Sequence, residues 1–372
     1  MFEAGFVPGC TYLMTMFYRR HESQKRFSLF WVAGLVAGAF GGLLAYAVNH
    51  MHGLRGYAGW RWIFIVEGLT STLAAVAVRF FLADWPDQAR FLTGSEKAML
   101  QARLARDLLV RSNGNGNGNG NGNGNSVVDI ATMDRLDRAA WRRILRDWKI
   151  YMGGTIYLCV TVSGYATALF IPSIMQSLGY TGVQSQVHSI PVWTVTAVVA
   201  LLVSVATDRL RHRYAFILLG VLVASIGYVV LLCPPRVAGA AAVPLGARYT
   251  AVFLVTAGTY IVQPVSLVWM ASNLAGHYKR AVGLAVQVAI GNVGGIVASN
   301  AFNADLAPRY TAGYAVSLAA MLMCGVLSSA FAWGVLRENA LRDRGARDYR
   351  LRREGSVLCN MGDDDPRFRF TL

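Results

Sequence analysis

The chain has 372 residues, 55% hydrophobic and only 15% charged, with a mean hydropathy of +0.40. A soluble globular protein carries about 25% charge, so the composition argues against two ordinary soluble domains, a disordered chain, a collagen or a disulfide scaffold. The net charge of +15 would point to nucleic acid in a soluble protein, and its placement along the chain decides whether it does here.

Nine apolar runs follow one another, at about 3–19, 28–49, 60–82, 150–174, 188–207, 214–233, 248–272, 281–302 and 312–336. Most reach the ~20 residues that a helix needs to cross the hydrocarbon core of a bilayer. Backbone polar groups in lipid must be satisfied within the segment, so these runs are expected to be spanning helices. Between the runs, basic residues alternate in density. Of the 35 Lys and Arg, 29 fall in the segments 19–27, 83–149, 208–213 and 276–280 and in the tail from Arg337. Only Arg55, Arg61, Arg236, Arg248 and Arg309 fall in the intervening connections, and Arg79 lies inside a run. The positive-inside rule makes the 29 cytoplasmic. The basic balance is then a topology signal, and nucleic acid is not needed to explain it.

Residues 83–149 read as a cytoplasmic loop. Thr93 followed by Glu96 is a capping box that predicts a short helix over 93–110. The alternating Asn and Gly of 113–125 form a low-complexity linker, and an Arg-rich helix is predicted near 134–147. The tail 337–372 is polar and charged and is expected to be mobile. Five cysteines stand far apart with no CxxC pair, so no metal site is expected. The chain contains no GxSxG, HExxH, P-loop or GxGxxG signature, which speaks against an enzyme, and no cofactor is implied.

Two stretches resemble each other at an offset of about 254 residues. Lys25-Arg26 precedes Gly38, Gly41 and Gly42, and Lys279-Arg280 precedes Gly291, Gly294 and Gly295. Each is a basic cytoplasmic turn feeding a helix whose glycines let a neighbour approach closely; chance similarity of apolar segments is the plain alternative. A true repeat pairs the first three helices with the seventh to ninth and leaves the fourth to sixth without partners. The expectation is a twelve-helix parent that has lost its first three helices. The domains are then 1–82 as a partial N-terminal half, 83–149 as the central loop, 150–336 as a complete six-helix half and 337–372 as the tail.

Several stretches look familiar together. They are Glu3-Ala4-Gly5-Phe6-Val7-Pro8-Gly9, the basic turn at Lys25-Arg26, and the Gly-rich 37–46. Gly59-Trp60-Arg61-Trp62 through Glu67-Gly68, Asp208-Arg209 with Arg211 and Arg213, and the 272–295 region with Gly291-Asn292 and Gly294-Gly295 complete the set. On these residues the chain resembles the major facilitator superfamily, and more closely the fungal allantoate-permease-type anion:cation symporters, which include nicotinate, pantothenate and biotin permeases. The resemblance implies an all-α membrane protein with the major facilitator fold. It implies transport of a small organic anion with protons by alternating access, in a monomer at the plasma membrane with a cytoplasmic C-terminus. The alternative is a non-transporting fragment, acting as an interaction or sensor protein or left by a degraded gene.

Candidate residues carry two readings each. Glu67 and Glu3 are carboxylates placed in or near spans, where an ionised group costs roughly 2.5–3.5 kcal/mol. Glu67 either serves proton coupling or substrate-linked gating or is clamped by a backbone amide or Arg61, and Glu3 either serves proton or substrate coupling or is hydrated at a frayed terminus. Asp208 with Arg209 and Arg213, and the basic pairs Lys25-Arg26 and Lys279-Arg280, are candidates for gating or simple topology anchors. Gln263 before Pro264, together with Asn292, Trp193 and Tyr165, are substrate-path candidates, with helix packing as the alternative.

Overall fold

The computed structural model describes residues 5–18, 23–81, 92–109, 138–177, 179–233, 244–302, 310–352 and 361–372. Glu3, Arg19, Arg20 and the Asn-Gly stretch 113–125 lie outside them. Eleven α-helices are present among the described residues: α1 (Phe6–Phe17), α2 (Ser23–Asn49), α3 (Gly59–Phe81), α4 (Gly94–Leu109), α5 (Arg138–Leu145), α6 (Trp148–Ser177), α7 (Gly182–Leu210), α8 (Arg213–Leu232), α9 (Leu245–Asn273), α10 (His277–Ala301) and α11 (Thr311–Asp343). Every one of the nine apolar runs is a helix. Seven helices, α3 and α6 to α11, are long and apolar enough to span a membrane. The expected count of nine is not reached among the described residues. At 12 residues α1 falls short of a span, and the 27-residue α2 contains Gly42 and other positions whose surroundings are not described.

Helix boundaries follow local chemistry. The Thr93 backbone N–H donates to Glu96 Oε2 at 2.8 Å, and the Glu96 N–H reaches Thr93 Oγ1 at 3.4 Å, which is the capping box expected at the start of α4. These bonds from Thr93 hold the Glu96 carboxyl below its usual range. At the start of α7, Thr181 N–H donates to Gln184 Oε1 at 3.1 Å. The end of α7 is closed by Arg211 in the left-handed region, φ 58°, whose N–H returns to Thr207 O at 2.9 Å.

Small residues set the packing of α6 and α8 to α10. A Cβ built on Gly258 of α9 would lie 2.5 Å from the backbone of Ala224 and of Gly220 in α8. One on Gly294 of α10 would lie 2.6 Å from Thr161 Oγ1 and 2.9 Å from Leu158 O in α6. Backbones this close are possible only without a Cβ. On the N-terminal side α2 packs along α7, α1 meets α10, and α3 rests mainly on α2. Gly38 of α2 faces Trp193 of α7 at 4.0 Å, but Gly41 has nothing within 4 Å. The close packing expected at Gly41 is therefore not seen among the described residues.

The tail departs most from expectation. Rather than being mobile throughout, α11 continues to Asp343 and residues 361–372 fold back into the end of the bundle. Asp363, Asp365, Phe368, Phe370 and Thr371 are buried. Arg342 donates to the carbonyls of Asp363, Asp365 and Phe368 at 3.0, 3.1 and 2.8 Å. Asn339 clasps Phe370 through both backbone groups, each at 3.0 Å. Asn273 and Trp269 Nε1 hold Thr371 at 2.8–3.0 Å, and the Arg213 N–H donates to Leu372 O at 3.0 Å. Helix-end side chains here replace the hydrogen bonds that an extended peptide loses on burial.

Candidate functional site

The seam between α2 and α7 ends at a specific contact. Asp208 stands in the last turn of α7, and its Oδ2 accepts a 2.9 Å hydrogen bond from the backbone N–H of Lys25 in the first turn of α2. The first N–H groups of a helix lack intrahelical partners and carry partial positive charge, so a carboxylate is the natural group to place there. Neighbouring charges are arranged consistently. Arg209 lies in the last turn of α7, where the dipole favours a cation, and Arg26 lies 5.1 Å from the centroid of the Tyr18 ring. Arg213 is buried at the start of α8 under the chain terminus.

Along the same seam, Trp193 is nearly buried and meets the Tyr260 ring edge-on at 5.5 Å. Pro191 and Pro264 interrupt the hydrogen-bond ladders of α7 and α9 nearby. Gln263 packs over Gly164, its Oε1 3.3 Å from where a Cβ would stand. That Oε1 is buried and has no hydrogen-bond partner among the described residues, while Tyr157 lies beside the same amide. Tyr165 donates to Asn292 Oδ1 at 3.0 Å and also covers Gly295. Tyr165 of α6 and Asn292 of α10 thus meet at an exposed contact, while the buried Gln263 of α9 packs on Gly164 of α6 and Trp193 meets Tyr260 of α9. Deeper in the bundle, Ser163 Oγ joins Tyr228 Oη at 2.5 Å and Thr259 Oγ1 at 2.7 Å. This satisfied network ties α6, α8 and α9 together.

Glu67 is placed differently from expectation. It lies exposed on α3, with no ion pair or hydrogen bond of its side chain among the described residues. The anticipated clamp to Arg61 is absent, because the Arg61 guanidinium instead stacks near Trp60 and Tyr57, 5.4 and 5.9 Å from their ring centroids. The most apolar window of α3 has no buried residue, so no neighbour covers the carboxylate.

Lys279 and Arg280 separate. The Nε–H of Arg280 donates to Leu274 O at 3.3 Å. Lys279 is buried in a four-charge cluster, 2.5 Å from both Asp147 and Asp363, while Lys149 pairs with Asp363 and, at 3.3 Å, with Asp147. Burial pushes the Asp363 carboxyl up, but the Lys149 and Lys279 ammoniums more than reverse this and hold it below the usual carboxylate range. Sequence reasoning missed this cluster, since residues 147, 279 and 363 share no local pattern. It also missed Arg248. Counted from the sequence among the connections, Arg248 lies inside α9, buried beside Tyr314, with no hydrogen-bond partner for its Nε among the described residues.

Comparison with known proteins agrees with this architecture. Residues 1–299 match the Major Facilitator Superfamily. The chain belongs to that family. It is 31% identical over 374 residues to an uncharacterized transporter of Schizosaccharomyces pombe, covering 99% of this chain and 68% of the relative. It is 30% identical over 383 residues to the major facilitator-type transporter hxnP of Emericella nidulans, covering all of this chain and 70% of that one. With the high-affinity nicotinic acid transporter of Saccharomyces cerevisiae it shares 26% identity over 321 residues, 86% of this chain and 54% of the relative. The chain therefore spans between about half and 70% of the length of these relatives. It is a multi-pass membrane protein of transporter type.

Proposed function

We propose that the chain carries a small organic anion, of the nicotinate, pantothenate, biotin or allantoate kind, across a membrane together with protons. The finer family is then the allantoate-permease type. The observation that carries the reading is the α2–α7 seam, where Asp208 holds the α2 N-terminus at one end and Trp193 faces Gly38 further along. A hydrogen bond between a carboxylate and a backbone amide can be broken and remade without leaving a chain of buried charges behind. It suits a contact that closes one side of a path and opens when the two groups of helices rock apart.

The anion preference is supported by the similarity to the high-affinity nicotinic acid transporter of Saccharomyces cerevisiae; the buried amide oxygen of Gln263, unpartnered among the described residues, would accept a hydrogen bond from a donor group of the substrate. In this reading Gln263, Tyr165, Asn292 and Trp193 contact substrate. Glu67, a carboxylate within the span α3, is the candidate proton carrier. Glu3 is a second candidate carrier. The protein works as a monomer at the plasma membrane with its C-terminus in the cytosol.

Uptake of radiolabelled nicotinate, pantothenate, biotin and allantoate, in cells lacking their own permeases, tests the proposal. At least one anion should accumulate faster at external pH 5 than at pH 7.5, and a protonophore should abolish the difference. If the protein reaches the membrane and none of the four enters above background, the transport reading gives way to that of an interaction or sensor protein.

A further inference from the structure

An open cavity of about 430 Å³ lies where α5, the start of α6, the end of α11 and the folded-back tail meet. Eight cationic side chains line it against three carboxylates. Most of the cations are answered. Lys149 and Lys279 are neutralised by Asp147 and Asp363, Arg342 and Arg347 share Glu338, and Arg350 faces Asp364. Arg142 and Arg146 are not: both are exposed, and neither side chain has an ion pair or hydrogen bond among the described residues. They stand four residues apart at the end of α5, where like charges repel. Topology asks only that basic residues lie on this side of the membrane. It does not ask them to converge on one concavity, or to leave two of its lining guanidiniums unpaired among the described residues.

We propose that this cavity binds a multiply charged phosphate ester, with Arg142 and Arg146 as its main contacts. The guanidinium fork matches phosphate oxygens two at a time. Several such forks around one cavity favour a ligand with more than one phosphate over a singly charged carboxylate. The volume lies in the ordinary range for small-ligand sites. Exposed Trp141, Leu145 and Trp148 flank the same short helix, in the manner of groups that sit at a lipid headgroup layer. A phosphoinositide headgroup and a soluble inositol phosphate share the required chemistry, and Phe370 and Asp364 of the tail form part of the wall.

Binding to the full chain in phosphatidylcholine nanodiscs tests this without reference to uptake. One arm titrates soluble inositol 1,4,5-trisphosphate. A second places phosphatidylinositol 4,5-bisphosphate in the disc, and a third uses phosphatidylserine at matched charge. Saturable binding in either of the first two arms is expected, weakened about tenfold or more by Arg142→Gln with Arg146→Gln, while thermal melting of the unliganded chain stays unchanged. Binding in the first arm assigns a soluble ligand, and binding in the second alone assigns a lipid headgroup. No saturable binding in either arm, an equal response to phosphatidylserine, or full binding by the double variant would overturn the proposal.

Discussion

Asp208, at the end of α7, accepts a 2.9 Å hydrogen bond from the backbone amide of Lys25, 183 residues earlier in the chain. The acceptor is a carboxylate at a helix N-terminus, so both the hydrogen bond and the helix dipole contribute. Loss of such a cap costs about 0.5–2 kcal/mol. Asp208→Ala should lower the thermal midpoint of the purified protein in nanodiscs. Asp208→Asn, which keeps an acceptor but not the charge, should lower it less. Identical melting of all three proteins would show that the contact does not hold α2.

The buried cluster of Lys149, Lys279, Asp147 and Asp363 makes a prediction about combinations. Removing one partner strands a buried charge, and Asp363→Leu alone should cost about 3–5 kcal/mol. Lys279→Met added to Asp363→Leu removes one charge of each sign and leaves Asp147 paired with Lys149. The double variant should regain most of the lost stability in a thermal melt. Additive losses would mean that the charges do not act as a unit.

The response of the tail to pH follows from the direction of the Asp363 shift. Its carboxyl is held below the usual range in the folded state, while an unfolded aspartate titrates near 3.9. The stabilisation is therefore complete above about pH 4 and is lost as pH falls through the lower folded value. Labelling of Thr371→Cys with a pyridyl disulfide that reacts in acid, in a protein with its other cysteines replaced and expressed relative to free cysteine at the same pH, should be slow and constant from about pH 8 to 5 and rise only below about pH 4. A rise between pH 7 and 5 would contradict this assignment.

Glycines of α9 and α10 should respond to alanine with the opposite sign to a glycine of α2. Gly258→Ala in α9 and Gly294→Ala in α10 each push a methyl against a neighbouring backbone, costing about 1–3 kcal/mol. Gly41→Ala in α2 meets nothing within 4 Å and gains helix propensity, a change of roughly 0.5–1 kcal/mol in favour of the fold. Melting temperatures of the three variants check this, and a destabilising Gly41→Ala would show that α2 packs there.

Much of the fold was legible because its signals are local. The apolar runs are continuous, Thr93 and Glu96 are three residues apart, and Asp208 sits beside a run of arginines at a helix end. Polar groups inside spans stand out in the sequence, but their partners do not: Tyr165 bonds Asn292 across α6 and α10, and Gln263 of α9 packs on Gly164. Their contact with substrate is part of the proposal. The surroundings of Glu67 were not legible, because its cost in lipid says that it needs a partner, not which one. The tail was misread because charge and glycine content look mobile in isolation. Its burial depends on Arg342, Asn339, Asn273 and Trp269, which lie 21 or more residues away from the groups they bind and show no pattern that pairs them with the tail.

The central claim is that two groups of helices move against each other about a contact that closes at Asp208 and Lys25. Its most direct test is uptake by a Lys25→Cys, Asp208→Cys protein, with the five native cysteines replaced, before and after a short, cleavable bifunctional thiol reagent. Cross-linking should abolish accumulation of the organic anion, and reductive cleavage should restore it. Undiminished uptake with the cross-link complete would contradict the account.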